Sequence, residues 1–397
     1  MGIVSALGPT VEASARRLRT FENCVTEVGQ LKEFKGLNAH LGCLAGFVRP
    51  AHWTRKTTRS MGTVAEYALA ATEQAVAEAG LDGATLGSGR CGVAYGSCSG
   101  SIQAHLDLFS MFYAKEVRNV TSNTYIKLMP QTTACNLSVH FGTHGRLVPT
   151  GTACTSGSLA IGSSYELVRC GLQDVMLAGG AEEFSPTQVA VFDTLYATSL
   201  RNGAPRTTPA PYDAGRDGLV VGEGAATLVL EEYEHAKARG AKALAEVVGF
   251  CENTDGTHVT NPNPETMALA LRGALADASL PPEAIGYVNG HGTATKAGDV
   301  AETAATHAVF GRPVPISSTK SYIGHTLGAC GAIEAEMTIR MMSEGWFHPT
   351  LNLSTPDPCC APLDYIAGEG RALDVEYAMS NNFAFGGVNT SLVFRRL

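Results

Sequence analysis

One cysteine lies in a segment whose small residues suit nucleophilic chemistry. Cys154 belongs to the run TGTACTSGS, residues 150–158, between a predicted strand and a predicted helix. The thiolate is the reactive form of cysteine, and the N-terminus of a helix lowers the pKa of a thiol. The backbone amide of Cys154 could also hold a developing oxyanion. Most free cysteines are inert core residues, but this context predicts that Cys154 is an acyl-accepting nucleophile.

Two histidines follow predicted strands in glycine-rich turns. His291 lies in YVNGHGTAT, and His325 ends the run SSTKSYIGH. Decarboxylation of a malonyl thioester creates an enolate, whose charge needs hydrogen-bond donors placed in advance around the thioester oxygen. A histidine ring nitrogen can be such a donor. A single histidine in such a turn is more often a loop residue that bonds the backbone, so the hypothesis depends on both histidines together with Cys154.

Polar and aromatic residues near these histidines complete the candidate site. Lys320 precedes His325 by five residues, and the hydroxyls of Thr293 and Thr295 could bind an amide-rich arm such as phosphopantetheine. Carboxylates follow each histidine, namely Asp299 and Glu302 after the first and Glu334 after the second. The late segment MSNNFAFGGVN, residues 379–389, carries two aromatic residues that could gate an apolar tunnel, Phe383 and Phe385.

The elements that must position these residues alternate along the chain, as in α/β proteins. We predict a helix over 61–80 and another over 264–276. Strands are predicted over 90–96, 174–178 (followed by a turn at Gly179-Gly180), 225–231, 244–250, 285–289 and 391–394. Residues 145–149 are predicted to lead into a further strand that ends at Cys154. Residues 207–212 (TTPAPY) are predicted to form a surface loop. GRLVP before Cys154 and GRPVP before His325 suggest an internal duplication, with halves at residues 1–236 and 237–397.

Composition excludes several classes of protein. The net charge of −8 and 45% hydrophobic content fit a soluble enzyme without a nucleic-acid-binding basic stripe. No apolar run is long enough for a membrane span, and no signal peptide is recognisable. Eleven cysteines without a CxxC pair indicate free thiols in the cytoplasm. His140 and His144 have HxxxH spacing but lack the glutamate of a metalloprotease helix, so no metal site is predicted.

Taken together, these segments resemble the β-ketoacyl-acyl-carrier-protein (ACP) synthases I and II of the thiolase-like superfamily over nearly the whole chain. The motifs are TACTSG, YDAGRDGLVVGEGA, GHGTAT, STKSYIGHTLGACGAIEA and NFAFGGVN, which begin at residues 152, 212, 290, 318 and 382. The resemblance implies a five-layer α-β-α-β-α fold built from two duplicated halves. It also implies a decarboxylative Claisen condensation of an acyl thioester with malonyl-ACP, in fatty acid, polyketide or aryl-polyene biosynthesis.

The resemblance also assigns roles to residues. Cys154 would carry the acyl group, His291 and His325 would promote decarboxylation, and Lys320 would support the second histidine with Glu334 nearby. Phe385 would be the gating aromatic, and its amide would complete the oxyanion hole. The pantetheine arm would contact Thr260, Thr293 and Thr295, and an acidic carrier protein would dock on Lys56, Arg59 and Arg201. No cofactor is expected, because the carrier delivers the phosphopantetheine arm.

Some positions depart from the family pattern. Ala384 stands where glycine is usual and is expected to stiffen the gate, and Ser99 replaces a bulky aliphatic residue of the acyl pocket. The segment VFDTLYATS, residues 191–199, resembles the ketosynthases of aryl-polyene clusters. The first strand looks clipped, so the natural start is expected upstream. The expected assembly is a homodimer or a heterodimer with a chain-length-factor-like homologue.

Three alternative functions remain. A degradative thiolase would use a second cysteine near the C-terminus in place of one histidine, and an inert chain-length-factor-like subunit would lack the nucleophile. A plain binding module would not need this constellation. The presence of Cys154, His291 and His325 favours the condensing enzyme over all three. The sequence does not indicate the length or type of the acyl chain.

Overall fold

Two mixed β-sheets lie at the centre of the protein, which we describe from a computed structural model of residues 1–397. The fifteen strands, in chain order, are β1 (Gly2–Ser5), β2 (Thr26–Glu27), β3 (Leu41–Gly42), β4 (Cys91–Gly96), β5 (Leu147–Thr150), β6 (Val175–Glu182), β7 (Gly224–Glu231), β8 (Ala245–Thr254), β9 (Ile285–Asn289), β10 (Pro315–Ser317), β11 (Trp346–Phe347), β12 (Asp364–Tyr365), β13 (Arg371–Ala372), β14 (Tyr377–Ala384) and β15 (Val388–Arg396). The fourteen helices are α1 (Val11–Leu18), α2 (Arg55–Thr58), α3 (Thr63–Ala79), α4 (Gly83–Leu86), α5 (Ile102–Ala114), α6 (Ser122–Leu128), α7 (Thr132–Phe141), α8 (Ser156–Arg169), α9 (Pro186–Thr194), α10 (Tyr233–Ala238), α11 (Pro264–Asp277), α12 (Lys296–Phe310), α13 (Lys320–Ile323) and α14 (Cys330–Glu344).

The two sheets repeat the same strand order and directions. The first sheet has the order β1-β7-β6-β4-β5, and the second has the order β8-β15-β14-β9-β10 with β12 added at its edge. In each sheet the first three strands are antiparallel neighbours, and the next two strands pair in parallel. The strands of the first sheet all precede residue 236, and those of the second all follow residue 237. The two sheets thus match in strand order and direction, as expected from the internal duplication that the GRLVP and GRPVP segments suggest.

Helices form three layers around the two sheets. Helices α3 and α7 pack on the outer face of the first sheet, α11 packs on the second, and α12 packs on α11. Helices α8 and α14 lie between the sheets and contact strands of both. Nearly every residue of α14 is buried, because a helix between two sheets has no face left for solvent. The result is the five-layer α-β-α-β-α arrangement of the thiolase-like fold.

Glycine allows the two central helices to touch through their backbones. A Cβ atom on Gly157 of α8 would lie 2.7 Å from the amide nitrogen of Ala332, and one on Gly331 of α14 would lie 2.6 Å from that of Ser158. Real Cβ atoms do not approach other atoms so closely, so only glycine fits this crossing. The crossing matters for the site, because α8 begins two residues after Cys154 and α14 begins five residues after His325.

Two sequence predictions about local structure are wrong. Residues 179–180 do not form a turn, since β6 continues through them to Glu182 as a fully buried strand. Glycine is needed in this strand because neighbouring backbone packs directly against it. A Cβ on Gly180 would lie 2.3 Å from the carbonyl oxygen of Gly328. Residues 208–212 are buried rather than exposed. Asn23 donates to the carbonyl of Thr208, and the amide of Tyr212 donates to Asp299.

Most other predicted elements lie where the sequence places them, but β5 ends at Thr150 rather than at Cys154, which belongs to a 3₁₀ turn. Strand β9 has the predicted bounds, and α3, α11, β4 and β7 begin and end within two residues of theirs. Strands β8 and β15 run longer than predicted, because they pair with each other along their whole length, from Val388 and Thr254 to Arg396 and Ala245. No helix is both long and apolar enough to cross a membrane.

Candidate active site

A tight turn between β5 and α8 presents the nucleophile. Ala153–Thr155 form one turn of 3₁₀-helix, in which Ala153 has a φ of 52°. This conformation is uncommon for residues other than glycine and is concentrated at functional sites. The Ser156 hydroxyl stabilises the turn, since it accepts from the amide of Thr152 and donates to the carbonyl of Ala153. Cys154 is therefore held at the N-terminus of α8, as the sequence predicts.

The thiol of Cys154 lies in a buried but electropositive environment. Burial raises its pKa to about 12, while the charge of Lys320 acts in the opposite direction. The backbone amides of Phe385 and of Cys154 itself also point at Sγ and favour the thiolate. These two amides are placed as the predicted oxyanion hole requires, because a group bonded to Sγ would lie beside both donors.

His325 contacts the thiol with a defined tautomer. Its Nε2 lies 3.0 Å from Cys154 Sγ, and its Nδ1 accepts a hydrogen bond from the amide of Leu327 over 3.2 Å. An amide can only donate, so Nδ1 has no proton and the neutral ring carries its proton on Nε2. Burial, reinforced by the charge of Lys320, lowers the pKa of His325 well below 6.5. The ring is therefore neutral at physiological pH and is a hydrogen-bond donor towards the thiol.

His291 has the same tautomer for a different reason. Its Nδ1 faces two donors, Nζ of Lys320 at 3.1 Å and Nδ2 of Asn382 at 3.4 Å. Burial lowers the pKa of His291 well below 6.5, and the charge of Lys320 adds to this effect. The two imidazole rings lie edge to face with centroids 5.1 Å apart. Both rings therefore offer an Nε2–H donor to the same region.

Lys320 supports the first histidine rather than the second. The sequence places it close to His325, but its ammonium bonds His291, because α13 directs the side chain back towards the end of β9. Glu334 forms a buried ion pair with Lys320 and accepts a 2.7 Å hydrogen bond from Asn382. Burial alone would lower the pKa of Lys320, but Glu334 and the other acidic groups around it together outweigh burial and raise the pKa, so the lysine stays charged.

The two carboxylates after His291 hold its loop rather than its ring. Glu302 accepts from the amides of His291 and Gly292, at 2.5 and 2.7 Å. Asp299 accepts from the amides of Tyr212 and Ala294, at 2.7 and 3.1 Å. Burial raises the pKa of Glu302 to about 7 and that of Asp299 to about 6. These acids therefore position the histidine through the backbone.

A cavity of about 580 Å³ leads from the reacting groups to the surface. Its buried end is lined by Cys154, His291 and His325, and its outer part by exposed residues that include Thr260 and Lys296. The lining contains four residues predicted to bind substrate, namely Thr260, Thr293, Thr295 and Phe383. The hydroxyls of Thr293 and Thr295 lie 2.9 Å apart, so together they present donors and acceptors to an amide-rich arm.

The predicted gate lies over the nucleophile. The ring of Phe385 packs against Phe192 with centroids 5.4 Å apart. Gly386 and Gly387 follow with φ angles of 90° and 71°, which residues other than glycine rarely adopt. Ala384 pairs with Val388 at the end of the hairpin, so the unusual backbone angles begin only after it. Phe192, which the sequence analysis did not single out, is the ring on which the gate rests.

Some predicted residues lie away from this cavity. Ser99 does not line it, and its carbonyl accepts from His105 over 2.7 Å. Lys56 and Arg59 are exposed but are not part of the lining. Arg201 is not a free surface base, because its guanidinium donates to the carbonyls of Thr207 and Gly215 and lies 3.4 Å from Asp217. Arg201 is therefore engaged within the chain.

Three further residues that the sequence analysis missed contribute to the site. Asn382 connects His291 with Glu334, and it lies inside the quoted motif NFAFGGVN. Cys330, which lies inside the quoted motif STKSYIGHTLGACGAIEA, donates its thiol to the carbonyl of Cys154 over 3.1 Å. Glu182 accepts from the amides of Cys98 and Gly328. Only spatial proximity identifies Glu182, since it lies outside every quoted motif.

Three residues of the site could supply ligand atoms to a metal ion, but the protons of the two histidines are on the nitrogens that would have to bind it. Potential ligand atoms of Cys154, His291 and His325 lie within 4.8 Å of one another. A metal would need a lone pair on each Nε2, whereas both Nδ1 atoms accept hydrogen bonds and leave the proton on Nε2. The arrangement therefore favours hydrogen-bond donation over metal coordination.

Comparisons with family models and curated proteins match this geometry to one family. The model described as "Beta-ketoacyl synthase, N-terminal domain" matches residues 1–236, and that described as "Beta-ketoacyl synthase, C-terminal domain" matches residues 244–354. The chain is 38% identical to 3-oxoacyl-[acyl-carrier-protein] synthase 2 of Vibrio cholerae, over 100% of this chain and 98% of that protein. It is 34% identical to 3-oxoacyl-[acyl-carrier-protein] synthase 1 of Haemophilus influenzae, over 100% and 97%.

Solved structures give the same result. A β-ketoacyl synthase from Burkholderia phymatum is 56% identical, with a TM-score of 0.98 over 100% of this chain and 98% of that one. A ketosynthase (ApeO) in complex with its chain length factor (ApeC), from Xenorhabdus doucetiae, is 26% identical, with a TM-score of 0.82 over 100% and 96%. The ishigamide ketosynthase/chain length factor is 28% identical, with a TM-score of 0.91 over 100% and 97%.

Proposed function

The chain belongs to the β-ketoacyl synthase family and is an acyltransferase of the 3-oxoacyl-[acyl-carrier-protein] synthase class, and from this premise we propose how its residues carry out the reaction. Cys154 accepts an acyl group from one carrier thioester, and the acyl group then condenses with a malonyl thioester. The carrier supplies the phosphopantetheine arm, and the protein supplies the nucleophile, the hydrogen-bond donors and the cavity.

The first step exchanges one thioester for another. The sulfur of Cys154 attacks the acyl carbonyl, the bond to the pantetheine sulfur breaks, and the proton of Cys154 ends on the departing thiol. No net charge is created, so the high pKa of the buried thiol is compatible with the exchange. The amides of Cys154 and Phe385 stabilise the tetrahedral oxyanion, because both point at the sulfur.

The second step uses the two imidazoles as donors. Loss of CO₂ from the malonyl thioester leaves its electron pair in an enolate, whose oxygen accepts from Nε2–H of His291 and His325. The enolate carbon attacks the acyl carbonyl on Cys154, which breaks the bond to the sulfur and gives a 3-oxoacyl thioester two carbons longer. The sulfur leaves as a thiolate and takes one proton from water, which regenerates the thiol of Cys154. Neutral donors suit this task, because a charged imidazolium would lose its proton to the enolate and leave the donor site empty.

The observation that carries this proposal is the protonation pattern of the two histidines. The amide of Leu327 donates to Nδ1 of His325, and Nζ of Lys320 donates to Nδ1 of His291. The proton of each neutral ring is therefore on Nε2, and both Nε2–H groups face the space beside Cys154. An inert chain-length-factor-like subunit would need no such arrangement. A thiolase would use a second cysteine in place of one histidine, whereas here both histidines face the thiol.

Intact-protein mass spectrometry tests the two steps separately. After incubation with acyl-ACP, we expect an acyl adduct on the wild type and none on Cys154→Ala. After addition of malonyl-ACP, the adduct should disappear and a carrier-bound product two carbons longer should form. His291→Ala and His325→Ala should keep acylation but lose condensation by about 10²-fold or more, as expected for the loss of an oxyanion donor. Full condensation in either variant would refute the assigned roles.

The partner that we expect is a second ketosynthase subunit, bound through exposed apolar residues of α5, α6 and β5. Strand β5 is an edge strand of the first sheet, and α5 packs on α6. Large apolar side chains of these three elements are exposed, namely Leu106, Phe109, Phe112, Tyr113, Tyr125 and Leu147. Exposed apolar patches beside an open strand edge are typical of protein interfaces. Solved relatives include a ketosynthase in complex with its chain length factor and an acyl carrier protein in complex with its ketosynthase.

The molar mass in solution distinguishes the two possible assemblies. Light scattering on the chain alone should give a stable dimer if the partner is a second copy. A monomer that dimerises only with a chain-length-factor-like homologue would indicate the heterodimer. The aryl-polyene pathway stays a prediction, and acylation by aryl-polyene primers, compared with saturated ones, would test it.

A further inference from the structure

Glu182 is a fully buried acid at the end of β6 that takes no part in the proposed reaction steps. Its Oε2 accepts from the amide of Cys98 over 2.8 Å and from the amide of Gly328 over 3.2 Å. Its Oε1 accepts from the hydroxyl of Ser97 over 3.4 Å. One side chain therefore connects the loop that follows β4 with the turn that follows His325.

The turn that Glu182 holds carries the amide that fixes the tautomer of His325. Leu327–Ala329 form one turn of 3₁₀-helix, which begins two residues after His325. The amide of Leu327 donates to Nδ1 of His325 over 3.2 Å. The proton of the neutral ring is therefore on Nε2, which lies 3.0 Å from Sγ of Cys154. The donor that the second step needs thus depends on the position of one backbone amide.

This turn is strained, so the surrounding structure must hold it. Leu327 has a φ of 48°, a left-handed conformation that costs free energy in any residue except glycine. Such a conformation persists only where neighbouring groups impose it. Gly328 packs directly against Glu182 and Cys98, since a Cβ on Gly328 would lie 2.9 Å from Oε2 of the first and 3.1 Å from the amide nitrogen of the second. The carboxylate therefore anchors the peptide group between Leu327 and Gly328.

The charge of Glu182 does not explain its place near the nucleophile. The thiolate is the reactive form of cysteine. Burial is the main cause of the raised pKa of Cys154, and the negative charge of Glu182 raises that pKa further. The oxygens of Glu182, in contrast, satisfy two amides, which would be costly to leave buried without a partner. The useful part of this side chain is its acceptor atoms.

We propose that Glu182 is a positioning residue for condensation, which holds the Leu327–Gly328 peptide and thereby keeps the proton of His325 on Nε2. This inference rests on the proposed role of His325 as a hydrogen-bond donor to the enolate. Glu182 does not line the substrate cavity. Its removal should therefore slow the second step and spare acylation, which depends on the amides of Cys154 and Phe385.

Two substitutions at Glu182 separate its acceptor atoms from its charge. Glu182→Met has a similar length but no strong acceptor. Glu182→Gln loses the charge but keeps one oxygen for both amides, and its NH₂ group can donate to the hydroxyl of Ser97. Glu183→Met is the matched control, because Glu183 is also buried and accepts from two amides, those of Val64 and Ile102, at 2.8 and 2.5 Å. These amides belong to the first turns of α3 and α5.

Steady-state CO₂ release from malonyl-ACP and mass spectrometry of Cys154 measure the two steps. We expect Glu182→Met to lower kcat for CO₂ release by about tenfold or more, as for a misplaced oxyanion donor, with KM and the acylation rate unchanged. Glu182→Gln should stay within about twofold of the wild type, because both amides keep an acceptor. Glu183→Met should lower the melting temperature without a selective loss of CO₂ release.

A second variant disturbs the same contact from its other side. In Gly328→Ala the new methyl group displaces Oε2 of Glu182 from the amide. It should show the same selective loss of CO₂ release, and it decides the matter if Glu182→Met does not fold.

¹⁵N NMR of the protein with labelled histidine reports the tautomer of His325 directly. The His325 signals are assigned by their absence from His325→Ala. They should show a proton on Nε2 in the wild type and in Glu182→Gln, and a share of rings with the proton on Nδ1 in Glu182→Met and Gly328→Ala. A purely structural role would lower stability without this change.

Three results would overturn the proposal. They are wild-type CO₂ release by both Glu182→Met and Gly328→Ala, an equal loss of acylation and CO₂ release in these variants, and a loss in Glu182→Gln as large as in Glu182→Met. Full condensation by His325→Ala would instead refute the proposed function on which this inference rests.

Discussion

Lys320 donates from Nζ to Nδ1 of His291 over 3.1 Å, although it lies much closer in sequence to His325. The same ammonium pairs with Glu334, and its charge lowers the pKa of both catalytic-site histidines. One buried cation therefore determines which ring nitrogen of His291 carries the proton, and it also helps to keep both rings neutral.

Removal of this cation should change the pH dependence of decarboxylation. In the wild type the pKa of each histidine is lowered, so the neutral donors are present above the lowered pKa and are lost only as the pH falls through it. In Lys320→Met both pKa values should rise, so activity should be lost at a higher pH, by about one unit, typical of a neighbouring charge. The measurement is the pH–rate profile of CO₂ release from malonyl-ACP.

Lys242→Met, which removes an exposed lysine, is the control and should leave the profile unchanged. Circular dichroism must show that Lys320→Met is folded, because the change leaves Glu334 buried without its partner. A profile with the acid limb in its wild-type position would contradict the role of Lys320.

Replacement of Glu302 tests whether the carboxylate acts through the backbone. Its two oxygens accept from the amides of His291 and Gly292, but the NH₂ group of a glutamine cannot accept. Glu302→Gln should therefore leave one buried amide without a partner, at a cost of about 1–3 kcal/mol in stability. The condensation rate should fall, since His291 is displaced, while acylation of Cys154 should change little.

Chemical denaturation and single-turnover assays measure these two effects. Glu283→Gln, on an exposed 3₁₀ turn, is the matched control. Wild-type condensation by Glu302→Gln would show that the loop does not depend on this carboxylate.

The crossing of α8 and α14 should not tolerate even one methyl group. In Gly331→Ala the new Cβ would lie 2.6 Å from the amide nitrogen of Ser158 and 2.8 Å from Oδ1 of Asn382. The helices would have to separate, which we expect to cost about 1–3 kcal/mol of unfolding free energy, typical of overpacking. Gly83→Ala adds the same group to a helix where nothing lies within 4 Å, and it should be neutral or stabilising. Equal stabilities of the two variants, from urea denaturation, would contradict this account of the crossing.

Glu336 should make the protein less stable as the pH rises. It is fully buried in α14, neither oxygen has a well-formed hydrogen bond, and only the amide of Gly2 points towards it. Burial raises its pKa from 4.5 to about 8. The folded state therefore prefers the protonated acid, and stability present below pH 4.5 is lost as the pH rises to about 8, by roughly 3–5 kcal/mol at most.

Glu336→Gln should remove this pH dependence and be more stable than the wild type at pH 9. The measurement is the unfolding free energy in urea at pH 5, 7 and 9. Glu234→Gln changes an exposed acid and should follow the wild type. Parallel curves for the wild type and Glu336→Gln would refute the assignment of the pH dependence to this residue.

The local sequence was sufficient to single out the residues at the buried end of the cavity and to predict most elements. Cys154 and His291 each follow a strand among small residues, and the ends of strands in α/β proteins are where sites form. His325 follows α13 rather than a strand, and its local signals are the glycine and the lysine before it. Strand β9 and helix α11 follow from the apolar pattern and from proline and asparagine at the helix start. These features depend on neighbours within a few residues, so the chain displays them before it folds.

The tertiary structure decided which of these residues meet and what each one does. Lys320 bonds the histidine that is distant in sequence, Glu302 holds amides rather than a ring, and Arg201 is engaged within the chain. Gly179 and Gly180 belong to a strand, because a central helix and a neighbouring strand approach their backbone from outside the local sequence. Such contacts form only when two duplicated sheets enclose α8 and α14. The sequence thus determined the chemistry available, and the packing of its two halves determined the proton positions on which we expect that chemistry to depend.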